Sequence, residues 1–334
     1  MKQNNHELSH IAHEFNLGEI KDITNLEDGI VNTSYKIATP KGIFILQKLS
    51  PIFNEKVIED YQNVQSYLRT YGLQVPVLLS AKDSKPYFKN ENLWRTFEYI
   101  PNDQIFEGDK LSEKSENIVY EAGKALGKFH RIMKNSTFKP QFKLEGFHDT
   151  IGTINKLHKL YTKKNNPDKS NKVKEEYEFI TNRIKQHYLP ENFPTTTIHG
   201  DPNIGNFLFK DNKAIAILDL DTMMESNELI DLGDALRSWC KDKKGYNQCL
   251  FDSSIAGYLS ENPVKYEESM LMKATGLITL ELAARFLNDY FEENYFVWDK
   301  TKYNTSAEHN LQRCKNSINY YQQFSKEFVK RRYF

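Results

Sequence analysis

The segment His199-Gly200-Asp201-Pro202-Asn203-Ile204-Gly205-Asn206 constrains this chain more than any other. A carboxylate and a carboxamide stand five residues apart on it. Two short strand-like runs follow, Asn206 to Phe209 and Ala214 to Asp219, joined by Lys210 to Lys213. The second run ends in Ile217-Leu218-Asp219-Leu220-Asp221, so that Asp219 closes an apolar strand and its carboxylate emerges at a cleft. One loop and one strand end then bring hard oxygen donors within a few ångströms of each other, the ligand type that Mg²⁺ takes. Alone, the loop pattern is short enough to arise by chance, and an aspartate at a strand end is commonly a turn former. Their joint order carries the weight.

The first hundred residues alternate strand-like runs and turns. Thr33 to Thr39 and Ile43 to Leu49 read as strands around Pro40-Lys41-Gly42. Glu55 to Thr70 reads as a helix, with Val57, Tyr61, Val64 and Leu68 at helical spacing. Two further strand-like runs, Pro76 to Ala81 and Leu93 to Ile100, complete an α+β lobe on an antiparallel sheet. After Pro101 the pattern is mostly helical, at Glu121 to Lys134, Met270 to Phe291 and Ala307 to Phe328. The Lys- and Asn-rich stretch Lys156 to Lys174 reads as a solvated linker. The expected organisation is a smaller nucleotide-binding lobe over residues 1–100 and a larger helical, catalytic and substrate-binding lobe over 101–334.

Composition removes several classes of function. Lys plus Arg and Asp plus Glu balance at 45 each, which gives no general pull towards nucleic acid or a membrane surface. Cys240, Cys249 and Cys314 are odd in number and widely spaced, so a disulfide framework and a cysteine zinc site are not expected. The N-terminus lacks the apolar core of a secretory signal, and no apolar run approaches the length of a membrane span. The expectation is a cytoplasmic protein.

The spacing His-x-Asp-x-x-x-x-Asn resembles the catalytic loop of protein kinases, in which the Asp accepts the proton of the attacking hydroxyl and the Asn holds Mg²⁺. On that reading Asp201 is the base, Asn206 and Asp219 are the metal ligands, and Asp221 is a second metal contact or a structural carboxylate. His199 orders the loop, and Asp231 and Asp234, before a helix, cap it or hold the loop's backbone, with substrate binding the other reading for Asp231. On the nucleotide side, Asp28 to Ser34 offers backbone N–H groups and the side chains of Asn32 and Thr33 to phosphates. Lys48 is the candidate phosphate cation if it, rather than Gln47, faces inward, and Glu59, then Glu55, is its candidate partner.

Taken together, the lobe order, the HGDPNIGN loop and the IAILDLDT strand resemble the aminoglycoside phosphotransferase and choline kinase superfamily. Several segments are similar to the N-acetylhexosamine 1-kinase group: Ile45 to Leu49, Trp94 to Ile100, Ile217 to Thr222, Asp231 to Arg237, Ala284 to Tyr290 and His309 to Arg313. The resemblance implies a two-lobed, protein-kinase-like fold with ATP in the interlobe cleft. It also implies phosphoryl transfer to the anomeric hydroxyl of an N-acetylhexosamine. Glu98 and Tyr99 join the nucleotide-binding set, and Arg285, Tyr290 and His309 the substrate set. Arg285 has a second reading as a structural ion pair. Three alternatives stay open: a choline or amino-alcohol kinase with a cation–π cage in the aromatic stretch Tyr290 to Tyr303, an aminoglycoside kinase with an acidic pocket, and a nucleotide-binding scaffold without catalysis.

Overall fold

The computed structural model describes residues 2–26, 31–102, 115–163, 167–190, 192–242, 244–264 and 266–331. Its first layer is a five-stranded antiparallel sheet of β1 (Asp22–Leu26), β2 (Thr33–Thr39), β3 (Gly42–Lys48), β4 (Phe88–Lys89) and β5 (Leu93–Glu98), in the order β1-β2-β3-β5-β4. Period-two alternation gives each strand two faces. Tyr35, Ile37, Leu46 and Trp94 line one face, and α1 (Lys2–Glu14) covers it through Leu8, Ile11 and Ala12, with Phe15 just beyond. The opposite face carries Ile45 and Phe97. It meets α2 (Glu55–Thr70) through Val57, Tyr61, Val64 and Leu68, and the Tyr61 and Phe97 rings lie 5.1 Å apart. Pro76 to Ala81, expected as a strand, contributes only the single bridge Leu78 to Phe97.

Beyond β5 the chain is mainly helical: α3 (Glu116–Lys134), α4 (Thr150–Tyr161), α5 (Pro167–Lys172) and α6 (Lys174–Arg183) precede β6 (Thr196–Ile198). The hairpin β7 (Phe207–Lys210) and β8 (Lys213–Ile217) follows, then β9 (Met224–Ser226), which pairs with β6. The helices α7 (Glu228–Trp239), α8 (Gln248–Glu261), α9 (Glu268–Glu292) and α10 (Ser306–Arg331) complete the order. The stretch expected as a linker at 156–174 is largely α4 and α5. Its few apolar positions fall on one side, where Leu157 and Val173 pack with Ala283, Ala284 and Leu287 of α9. Lys156 pairs with Glu292 and Lys169 with Glu293 on the outer side. A polar composition is compatible with a helix whose sparse apolar residues share a face.

A continuous apolar cluster crosses residue 100 and joins Val57 and Phe97 to Leu126, Phe129, Phe207 and Ile217. Helices α3 and α8 approach unusually closely. A Cβ on Gly123 or Gly127 of α3 would collide with the carbonyl oxygen of Ser254 or Tyr258, and one on Gly257 of α8 with that of Tyr120. All three cysteines are free thiols. Among the described residues no helix is long and apolar enough to cross a membrane.

Candidate active site

Strand β6 delivers the chain into His199, and from there the backbone is fixed from several sides. Asp231, in the first turn of α7, accepts from the His199 N–H at 2.7 Å and the Gly200 N–H at 2.8 Å. Behind it His130 Nε2 lies 2.9 Å from Asp231 Oδ2. Burial would raise the Asp231 carboxyl, but His130 and these donors hold it below the ordinary carboxylate range. Thr222 Oγ1 donates to the His199 carbonyl at 3.0 Å, and Trp239 Nε1 to the Pro202 carbonyl at 2.9 Å. The His199 ring, fully buried, reaches the Leu218 carbonyl at 2.9 Å and ties the loop to the end of β8. Gly200 has φ +89°, and a Cβ there would meet the Thr222 carbonyl, so this turn requires glycine.

Asp201 therefore sits on a backbone held before and after it. Asn206 Nδ2 donates to the Asp201 carbonyl at 2.7 Å, which leaves the amide oxygen as the end able to meet a cation. Asp219 follows β8 in a left-handed conformation, φ 54° and ψ 59°, rare for a residue with a side chain. Its side chain is open to the cleft yet ringed by protein. That desolvation, the Asp221 charge and, further down the order, Asp201 push its carboxyl up to about 7, against the pull of Arg95. Converging like charges of this kind are relieved by a cation. Among the described residues no three His, Cys, Asp or Glu side chains form an all-protein metal cage. Mg²⁺ does not need one, since it binds through one or two carboxylates and fills its octahedron with water and phosphate oxygens. The donor set of Asp219 and Asn206 fits it.

The nucleotide side departs from the sequence reading. Gln47, not Lys48, faces inward, and it accepts from Arg95 Nε at 2.7 Å. Arg95, 2% exposed, clasps Asp221 with both terminal nitrogens at 2.6 and 2.7 Å. The cross-strand register explains the parity: Gln47 lies opposite Arg95, and Lys48 lies opposite Trp94 on the face covered by α1, with its Nζ 6.0 Å from the indole. Glu59 is exposed, and Glu55 pairs with Lys89, so neither carboxylate supports Lys48. Asn32 is spent inside the protein, its Nδ2 donating to Asp221 at 3.1 Å and its Oδ1 accepting from Ser50 N–H at 2.9 Å. Thr33 opens β2 and is exposed. Glu27 to Ile30 lie outside the described residues, and with them the first three residues of the expected phosphate loop, Asp28 to Ile30. Glu98 and Tyr99 stand where β5 gives way to the chain leading into the helices, and the Tyr99 N–H bonds to the Ile43 carbonyl at 3.2 Å. Lys48→Met is accordingly expected to change the KM for ATP by less than about fivefold; steady-state ADP-release kinetics check it.

On the other side of the loop, His148 takes a left-handed φ of 52° and its Nε2 donates to the Gly200 carbonyl at 2.6 Å. Its Nδ1 lies 3.5 Å from Glu281 Oε1 on α9. Burial disfavours the imidazolium, but the Glu281 carboxylate outweighs it and holds the His148 pKa above its ordinary value. A raised histidine stabilises the fold fully below the unfolded pKa and loses that contribution as pH rises through the folded one. As pH rises through and above the ordinary imidazole range, the wild-type melting temperature should therefore fall more steeply than that of His148→Gln, measured by differential scanning fluorimetry.

Arg285, one turn beyond Glu281, is stacked against Phe147 at 5.2 Å, Tyr295 at 5.6 Å and Phe296 at 5.7 Å. Asp289 sets this cage: its carboxylate accepts from the N–H groups of Asn294, Tyr295 and Phe296, at 2.8, 2.8 and 2.9 Å. Tyr290 and His309, expected with Arg285 in the substrate set, are placed among other side chains. Tyr290 is buried in the cluster around Leu287, and His309 stacks on Tyr303 at 4.2 Å while its Nδ1 accepts from the Asp299 N–H. Asp234, three residues beyond Asp231, pairs with Arg237, whose Nε lies 3.0 Å from Oδ1. Arg95, His148 and Glu281 went unnoticed in the sequence. Only Arg95 left a trace there, as a charge in the middle of an apolar strand.

Comparison with known proteins bears on the fold and the family. A homoserine kinase of Rhizobium meliloti (strain 1021) is 23% identical over 287 residues, covering 84% of this chain and 82% of that protein. Among solved structures, spectinomycin phosphotransferase in complex with ADP and spectinomycin superposes with a TM-score of 0.68 at 12% identity, covering 96% of this chain and 98% of that one. A microcompartment-associated aminopropanol kinase gives 0.66 at 16% identity, covering 92% and 93%. At these identities the superpositions speak for the fold. The model of the phosphotransferase enzyme family (APH) matches residues 22–258, from β1 into α8. The chain belongs to that enzyme family, and the loop carrying Asp201 lies within the matched region.

Proposed function

We propose that this chain is an ATP- and Mg²⁺-dependent kinase that phosphorylates a hydroxyl group of a small, polar acceptor. The observation that carries the reading is the meeting of Asp201, the Asn206 amide and Asp219 on a loop whose backbone is held by Asp231, Thr222, Trp239 and His148. In this reading Asp201 orients the acceptor hydroxyl and takes its proton as the bond to phosphorus forms. Asn206 and Asp219 would hold Mg²⁺, which when bound neutralises charge on the phosphates. Glu98 and Tyr99 take the adenine side, where the sheet meets the helices.

For the acceptor we favour a neutral, hydroxyl-rich molecule, with the anomeric C1 hydroxyl of an N-acetylhexosamine as the specific member. The segments Trp94 to Ile100, Asp231 to Arg237 and Ala284 to Tyr290 support it by resemblance. The electrostatics of the site favour it over two rivals. The aromatic cage that would take a choline headgroup is filled by the chain's own Arg285. Arg237 and Arg285 beside the loop disfavour a polycationic aminoglycoside. A hydroxy amino acid is the second reading, supported by the similarity to homoserine kinase. The test is ADP release from Mg-ATP with N-acetylglucosamine, homoserine, choline, ethanolamine and an aminoglycoside. Phosphorus NMR of the sugar product should show phosphate coupled to the anomeric proton. Turnover with choline or an aminoglycoside alone would overturn the acceptor assignment, and no ADP release with any of them would overturn the kinase assignment.

A further inference from the structure

Among the described residues, Asp234 is a buried carboxylate beside the loop of Asp201 that is only half engaged. Its Oδ1 is taken by Arg237 through Nε and Nη2, while Oδ2 is shielded from water and has no hydrogen-bond partner. The side chain as a whole is 4% exposed. A carboxylate oxygen left in that state is costly, and fully engaged buried polar groups are the rule. Asp231, three residues earlier and one helical turn away, holds the His199 and Gly200 N–H groups, so this face of α7 is the one turned to the loop. The charges of Asp201 and His148 are both felt at Asp234. The orphan oxygen thus belongs to the surroundings of the reacting hydroxyl and not to the packing of the distant helices.

We propose that Asp234 Oδ2 binds the acceptor, accepting a hydrogen bond from an O–H or N–H group that neighbours the phosphorylated hydroxyl. This rests on the kinase reading above and gives it a specificity-determining residue. Arg237 fixes the carboxylate's orientation by holding the other oxygen. Oδ2 has no donor within the protein, so a donor carried into the site by the acceptor would complete its hydrogen bonding. Such an arrangement discriminates strongly, since an analogue without the donor leaves the oxygen unpaired. Both acceptor classes under consideration supply that donor. An N-acetylhexosamine has its acetamide N–H on the carbon next to C1, and a hydroxy amino acid carries an ammonium group.

The experiment compares wild type with Asp234→Asn and Asp234→Ala, using N-acetylglucosamine and homoserine as acceptors. 2-Deoxyglucose and 4-hydroxybutyrate serve as the matching analogues without the donor. For whichever parent acceptor turns over, both variants should lose about 10- to 100-fold in kcat/KM for the acceptor, the range for a charged hydrogen bond. The KM for ATP and ATP hydrolysis without acceptor should stay near wild type, while the melting temperature should fall more in Asp234→Ala, which leaves Arg237 unpaired, than in Asp234→Asn. In wild type, removing the donor from the acceptor should cost a similar factor. In Asp234→Ala the same removal should cost little, because the two halves of one contact are then both gone. Variants with wild-type acceptor kinetics, or full additivity of the two deletions, would overturn the role of Asp234 while leaving the kinase reading intact. Equal losses in ATP hydrolysis without acceptor would overturn it too, by showing a general defect of the loop. If neither parent acceptor releases ADP from wild type, the acceptor reading fails first and the inference with it.

Discussion

Replacing Asp201 by asparagine is expected to lower kcat by about 10²–10⁴-fold, the usual worth of a positioned general base. Melting temperature and nucleotide affinity should remain close to wild type. The structure gives the reason for separating the two effects. The loop is held by contacts to main-chain atoms, those of His199, Gly200, Pro202 and the Asp201 carbonyl, and none of these needs the Asp201 carboxylate. Asparagine matches aspartate in shape but cannot take a proton, so the geometry survives and the proton acceptor is lost. Rapid-quench measurement of the chemical step, with isothermal titration of an ATP analogue, reads both quantities. A kcat within a factor of three of wild type would remove Asp201 from the reaction.

Asp219→Ala should abolish measurable turnover, since it removes the carboxylate that with Asn206 is the metal donor set. The same change should cost the metal-free protein no melting temperature. Asp219 opens to the cleft but is crowded by surrounding protein and by Asp221, which together push its carboxyl up to about 7, so its charge, screened in part by cleft water, adds nothing to the stability of the fold. Its left-handed backbone, φ 54°, is a further local strain. A site that trades stability for a charge it needs during turnover is a familiar compromise. Two scans distinguish this from ordinary damage. Added MgCl₂ with an ATP analogue should raise the melting temperature of wild type and leave that of Asp219→Ala unmoved. A variant that binds Mg-nucleotide as wild type does would place the metal elsewhere.

The loop around Asp201 was legible as a motif because its polar residues lie within one short stretch and the following hairpin. The helices α2, α3, α9 and α10 were legible because their apolar residues recur at helical spacing along long segments. Sequence alone could not decide between Gln47 and Lys48. Period two assigns them to opposite faces without saying which face is inside, and the answer depends on Arg95, a residue 47 positions past Lys48 that the register brings alongside Gln47. Helix α1 carried its signal in Leu8, Ile11, Ala12 and Phe15, at spacings of three, four and seven, although the stretch contains many polar residues. His148 and Glu281 stand more than a hundred residues apart and meet only through the packing of α4 on α9, so neither left a local pattern. The surroundings of Arg285, Tyr290 and His309 were the hardest to foresee. Aromatic and basic residues near the C-terminus are abundant, and local spacing does not say that Phe147, far away in sequence, stacks on Arg285 with Tyr295 and Phe296.

The close approach of α3 and α8 links fidelity at the reacting atoms to three places that carry no side chain at all. Gly123, Gly127 and Gly257 let the two backbones touch. In doing so they bring Tyr258 of α8 within 2.8 Å of His130 of α3, and through His130 and Asp231 they reach the N–H groups of the loop. Any larger residue at these glycines must spread the helices apart and draw the tyrosine away. The lesion would then surface as an enzyme that binds nucleotide well but is sluggish, and more so on warming, with every residue of the cleft unchanged. In a genetic screen, temperature-sensitive alleles should collect along this seam and be mistaken for simple folding defects.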